Sequence, residues 1–113
     1  MTSPTTTFFE GLSVQRSAPL LRKVQGRIRF DVVDDDQTEY WLLDIDRGDL
    51  RISQAAGEAD CGVRAERAVL DEIVSGNRNA MAEMLRGGLA VEGDLELLVL
   101  VQRLFPPRTE DSS

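Results

Sequence analysis

The segment from Gly87 to Phe105, GGLAVEGDLELLVLVQRLF, constrains this chain more than any other. Two glycines end the preceding helical pattern and release Leu89-Ala90-Val91, a short apolar strand. Gly93 turns the chain, and Asp94 is placed to cap the first free amides of a new helix. That helix carries Leu97, Leu98, Leu100, Val101, Leu104 and Phe105, an apolar arc too wide for one neighbouring element to cover. It requires burial on several sides or an apolar ligand. Pro106-Pro107 then stops it. The upstream chain must supply the sheet and helices that enclose this segment.

Residues 1–7 are Ser, Thr and Pro without a period and read as a disordered tail, leaving 8–106 as the domain and 107–113 as a second tail. Phe8, Phe9 and Leu12 mark a turn or so of amphipathic helix, loosened at Gly11. Ser17 or Ala18 with Pro19 forms a helix start, predicting a short helix through Leu20, Leu21 and Val24 that ends near Gln25.

From Arg27 the period becomes two: Ile28, Phe30 and Val32 alternate with Arg27, Arg29 and Asp31. Asp34-Asp35-Asp36 turns the chain into a second strand, about Glu39 to Asp46, with Trp41, Leu43 and Ile45 on one face. Arg47-Gly48-Asp49 turns it again into a third, Leu50 to Ser53. Cys61 and Val63 mark a fourth strand. Two helices follow: one carries Leu70, Ile73 and Val74 and lacks a strong cap, the other starts at Asn79 and carries Met81, Met84 and Leu85.

The order helix, four strands, two helices, strand, helix predicts an α+β domain. Its five-stranded sheet is mostly antiparallel and covered by helices on one face. The fifth strand returns after two helices, so it pairs beside a strand already laid down rather than extending the meander. Periodicity does not choose which.

At 113 residues the chain makes one domain. With 13 basic and 20 acidic residues its net charge is -7, which argues against a nucleic-acid or anionic-membrane footprint. Arg16, Arg22, Lys23, Arg27 and Arg29 read as a solvated face. The absence of histidine removes histidine metal sites, the Cys-His pair and the Ser-His-Asp triad, while a lone Cys61 excludes an intrachain disulfide and a cysteine metal cluster.

Asp44, Asp46 and Asp49 lack the spacing of a calcium loop and read as turn acids. Glu92, Asp94 and Glu96 suit a helix start, and Cys61 suits a core position. Gly87, Gly88 and Gly93 lack the phosphate-loop lysine. No catalytic constellation, cofactor or metal is therefore expected. Nor is a leader or stable membrane insertion, since no long apolar run occurs. A soluble cytoplasmic protein is the expectation.

The remaining signal is apolar. Met81 and Met84 are unbranched and adaptable, suited to a cavity wall that conforms to its ligand. Phe30, Trp41, Leu43 and the Leu98, Val101, Leu104, Phe105 stripe would face them. A ligand pocket and a filled core satisfy the same periodicity.

Across Phe9 to Pro106 the sequence resembles the sterol carrier protein 2 (SCP-2) lipid-transfer family, most of all its small stand-alone bacterial members. The resemblance lies in GRIRFDV at Gly26 to Val32, the Tyr40-Trp41 strand, the D-C-G-V strand at Asp60 to Val63, and Ser75-Gly76-Asn77. It continues through LRGGLAVEGD at Leu85 to Asp94 and LLVLVQRLFP. It implies a five-stranded sheet with helices on one side of an apolar tunnel, holding an acyl chain, phospholipid or sterol without a cofactor or chemistry. The implied wall is Met81, Met84, Leu85, Leu98, Val101 and Phe105, with Phe30, Trp41 and Leu43 from the sheet.

Two departures stand out. The chain is very acidic, whereas an acyl-CoA or bilayer-docking member would carry exposed lysines near the mouth, and Glu110-Asp111-Ser112-Ser113 is not a peroxisomal targeting tripeptide. The alternative is the same fold with a filled core, acting as an interaction or accessory module through a homodimer or an enzyme partner, with Phe8-Phe9 as an anchor.

Overall fold

In the computed structural model, which describes residues 3–15 and 19–105, the strand β1 (Gln25–Asp34) forms the centre of a five-stranded sheet. The other strands are β2 (Gln37–Asp46), β3 (Asp49–Ser53), β4 (Cys61–Glu66) and β5 (Ala90–Gly93). The order across the sheet is β3-β2-β1-β4-β5. Three pairings are antiparallel, and β1 with β4 is parallel.

Asp35 and Asp36 form the first hairpin turn, and Arg47 and Gly48 the second. Arg47 and Gly48 both have positive φ (53° and 91°), as a two-residue turn matched to strand twist requires. The register then places Ser53 level with Leu42, Arg29 and Gly62. The chain reaches β4 from the far edge by crossing β2 and β1 on the outer face: Gly57 lies over Leu42, and its carbonyl accepts from Arg29 Nη1 at 3.4 Å. The fifth strand pairs with β4, the partner that periodicity left open.

Alternation along the strands makes the sheet two-faced. Ile28, Phe30, Val32, Trp41, Leu43, Ile45 and Val63 are buried on the inner face. Arg27, Arg29, Asp44, Arg51 and Arg64 point outward. Helices α1 (Pro4–Gln15), α2 (Arg67–Val74), α3 (Ala80–Arg86) and α4 (Leu95–Val101) contribute to the layer over the inner face. Gln102–Leu104 extends α4 as a 3-10 turn.

Two expectations change. The first helix starts at Pro4, inside the stretch read as a tail: Ser3 Oγ accepts from the Thr6 amide at 3.3 Å, and Pro4 occupies the first turn. A threonine-rich start has poor helix propensity. What fixes it is tertiary, because Thr5 is fully buried and donates through both its amide (3.0 Å) and hydroxyl (2.7 Å) to Asp71 of α2. The second change is at Pro19–Leu21, a single 3-10 turn in place of a helix to Gln25. Leu21 is buried, Arg22 and Lys23 are exposed, and Gln25 already pairs with Asp46 in the sheet. The expected cap at Ser17 or Ala18, the Pro106-Pro107 stop and the tail 107–113 lie outside the described residues, as do Met1 and Thr2.

Candidate functional site

The apolar layer between sheet and helices is the candidate site. Asp94 caps α4 by accepting from the Glu96 amide at 3.0 Å, which starts the wide apolar arc at the edge of the sheet. Leu98 (0 % exposed) and Val101 (1 %) then turn into the layer opposite Phe30 (1 %) and Leu43 (0 %). At that exposure no water-sized void adjoins them. The tunnel implied by resemblance is therefore closed along these side chains, and the layer is a packed core.

One end of the layer gathers all four phenylalanines and the single tryptophan. Phe9 of α1 stacks on Trp41 (centroids 5.1 Å apart) and tilts against Phe30 at 5.0 Å. Phe105 lies 6.4 Å from Phe30 and 5.4 Å from Phe8. Phe9, Phe30 and Trp41 are buried, while Phe8 and Phe105 are half-buried. Edge and offset contacts of this kind add to the area these rings remove from water.

A polar clamp orients Trp41. Its indole Nε1 donates to Glu39 Oε1 at 2.7 Å, and the same oxygen accepts from Arg67 Nη2 at 3.2 Å. Arg67 Nε donates to Asp34 at 3.0 Å, and its Nη1 donates to Ser3 Oγ at 2.6 Å. Burial lowers the Arg67 pKa, but the hydrogen bonds and charges of Glu39 and Asp34 outweigh it and leave the value raised. The cation thus joins α1, α2 and the sheet at one point.

The methionine helix sits differently. Asn79 accepts from the Ala82 amide at 3.0 Å and caps α3, as the sequence predicts, and Gly87 closes it in the left-handed conformation. The helix buries Ala80 and Glu83. Met81 and Met84 are half-buried, with Met84 packed on the core, and Leu85 is 83 % exposed. Of the nine expected wall residues, Phe30, Trp41, Leu43, Leu98 and Val101 are buried in the layer, Met84 and Phe105 pack at its margin, Met81 is half-buried, and Leu85 is outside it. Leu85 follows Met84 directly, and on a helix successive side chains diverge by about 100°. Phe9 is the core residue that sequence reading left out of the site. Its signal was the Phe8, Phe9, Leu12 spacing.

Elsewhere the chemistry is sparse. A cleft of about 810 Å³ opens on the outer face, lined by Arg27, Arg29, Asp44, Asp46, Arg51 and Glu58 among others. Its charges suit water rather than an alkyl chain. Cys61 is buried in the core, where burial, followed by Asp94 and Asp60, pushes its thiol pKa up. Asp44 pairs with Arg27 (3.4 Å) and Asp46 accepts from Gln25 (3.1 Å). Among the described residues no acidic or cysteine cluster is arranged to hold a metal, and no helix is long and apolar enough to cross a membrane.

The SCP-2 sterol transfer family model matches residues 7–106. No curated protein matches the sequence significantly. Among solved structures, the chain is similar to apo sterol carrier protein 2 from Yarrowia lipolytica, with TM-score 0.75, 19% identity, and coverage of 94% of this chain and 93% of that one. It is also similar to sterol carrier protein 2 from Aedes aegypti in complex with the C16 fatty acid palmitate (TM-score 0.73, 18% identity, 93% and 96% covered). A third similar structure is the ubiquinone synthesis protein UbiJ-SCP2 (TM-score 0.66, 22% identity, 88% and 90% covered). At these identities the structural likeness is one of fold. It reaches a yeast and an insect protein, so it does not single out the bacterial members.

Proposed function

The chain belongs to the SCP-2 sterol transfer family, and on that premise we propose that it binds and passes on an apolar lipid without chemistry. A fatty acyl chain is the favoured cargo, with a phospholipid tail or a sterol-like body as the wider class. The observation that carries this reading is the gradation of burial across the apolar layer. Phe30, Trp41, Leu43, Leu98 and Val101 are buried, whereas Phe8, Met84 and Phe105 close the seam half-buried and Met81 is only partly covered. A lipid enters by displacing seam side chains while the sheet wall stays in place.

Burial of alkyl surface supplies the drive, about 0.8 kcal/mol per methylene. Opening a filled layer and immobilising the ligand offset much of that sum, which places a long acyl chain near micromolar affinity. Met81 and Met84 suit this exchange because an unbranched thioether repacks with little strain. The expected wall of Phe30, Trp41, Leu43, Met81, Met84, Leu98, Val101 and Phe105 is retained, with Leu85 assigned to the outside.

Native mass spectrometry of gently purified protein tests the reading, combined with titration of palmitate while Trp41 emission is followed. A lipid-sized added mass released by organic extraction, or a saturable emission change, supports the carrier. Independently measured palmitate binding with unchanged emission removes Trp41 from the wall. The closed layer favours a second reading, an accessory module with a permanent core. Met84→Lys separates the two, since it abolishes lipid binding in a carrier. Protein that stays free of added mass and ignores fatty acids, phospholipids and acyl-CoA establishes the second reading.

A further inference from the structure

The sheet ends on β3, and the outer edge of that strand is open. Its hairpin with β2 closes on Asp46 and Asp49 across a two-residue turn. Those two residues exchange backbone bonds, and the alternation carries the pattern on through Arg51 and Ser53. The amides and carbonyls of Leu50 and Ile52 therefore point away from the sheet. Among the described residues no group bonds them. A groove of about 490 Å³ runs beside them, lined by Ser13 of α1 and by Asp49, Leu50, Arg51 and Ile52. An open edge of this kind is a template for a further strand.

We propose that the further strand is β3 of a second copy, paired antiparallel about a two-fold axis through Leu50 so that one sheet runs through both chains. Charge selects the occupant and the register. Leu50 is buried on the inner face, while Asp49 and Arg51 stand exposed on the outer face, in no ion pair with a described residue. With Leu50 opposite Leu50 of the second copy, Arg51 of each chain lies opposite Asp49 of the other. Both ion pairs form at once, because a two-fold interface repeats every contact. The two Leu50 residues also exchange their free amide and carbonyl bonds.

Other arrangements lose this match. Sliding the pairing by two residues, to Leu50 opposite Ile52, sets Arg51 directly against Arg51. A one-residue slip pairs Leu50 with Arg51 and turns the two inner faces to opposite sides. The other sheet edge, β5, carries Glu92 and no cation, so it lacks the reciprocity. The net charge of -7 on each copy opposes association at long range. At physiological salt the Debye length is about 8 Å, which leaves the contacting pairs to decide. The interface makes no demand on the apolar layer and stands whether or not the chain carries lipid.

Sedimentation velocity over a concentration series tests the proposal. The wild-type chain should pass from monomer to dimer as concentration rises. Arg51→Asp opposes acids at both pairs and should weaken the dimer about tenfold. Adding Asp49→Arg to it should restore the wild-type value. Both residues are exposed, so circular dichroism of the variants should match wild type. Oxidative crosslinking reads the register, and the buried Cys61 does not compete. A mixture of Asp49→Cys and Arg51→Cys chains should join, and neither alone. A monomer at every concentration overturns the proposal and leaves the edge to a strand of another protein. A dimer that Arg51→Asp leaves intact, one that the double variant fails to restore, or Arg51→Cys chains that join by themselves overturn it as well.

Discussion

Helices α1 and α3 cover the same apolar layer by opposite means. The α1 sequence, PTTTFFEGLSVQ, is rich in residues that disfavour a helix, yet it is tied to α2 through Thr5 and Asp71 and to Arg67 through Ser3 and Thr6. It also places Phe9, 1 % exposed, between Phe30 and Trp41. The α3 sequence, AMAEMLR, is made of strong helix formers and is capped at both ends. It nevertheless buries only Ala80 and Glu83 and leaves its long apolar side chains half-covered or exposed. Local and tertiary specification run in opposite directions here. The first helix is specified by its tertiary partners, the second by its own residues and caps.

The sharpest way to break this contrast is Phe9→Ala. Removing a ring from the middle of the cluster leaves a cavity and should cost about 3–5 kcal/mol in denaturant unfolding. A cost below about 1 kcal/mol would mean that α1 is no more essential to the layer than α3.

Asp71→Ala comes next. It strands the buried Thr5 amide and hydroxyl, an expected loss of about 1–3 kcal/mol. Hydrogen exchange should quicken at the α1 amides first. Uniform quickening through α3 would instead show that the two helices open together.

The smallest expected effect is that of Asn79→Ala, which removes the α3 cap. About 1 kcal/mol of local helix stability should be lost. Exchange should rise in Ala80–Arg86 while the unfolding midpoint barely moves. A full drop in the midpoint would place α3 within the cooperative core.

Much of the fold was legible because its signals are local. Alternation at Ile28, Phe30 and Val32 and at Trp41, Leu43 and Ile45 defines which face of the sheet is buried, since a strand side chain has only two directions. Arg47-Gly48 and Asp35-Asp36 define the hairpins through backbone conformation. Asn79 and Asp94 define helix starts because capping needs only a side chain and an amide two or three residues on. The same stripes correctly gathered Phe30, Trp41, Leu98 and Val101 in one layer.

Three features were settled only by tertiary contacts. Helix α1 begins at Pro4 because Asp71 and Arg67, more than sixty residues away, satisfy its first turn. The fifth strand pairs with β4 because the crossing between β3 and β4 leaves that edge for it. The layer is closed because side-chain volumes from four helices and the sheet interdigitate, a sum no periodicity contains. Leu85 shows the same limit on the smallest scale: residue type marks it as apolar, but the direction in which it points depends on how α3 is rolled against the core. The sequence by itself determined the elements, their faces and their caps, all of which depend on neighbours in the chain. The tertiary structure alone decided what is buried against what, because that depends on distances between residues far apart in the chain.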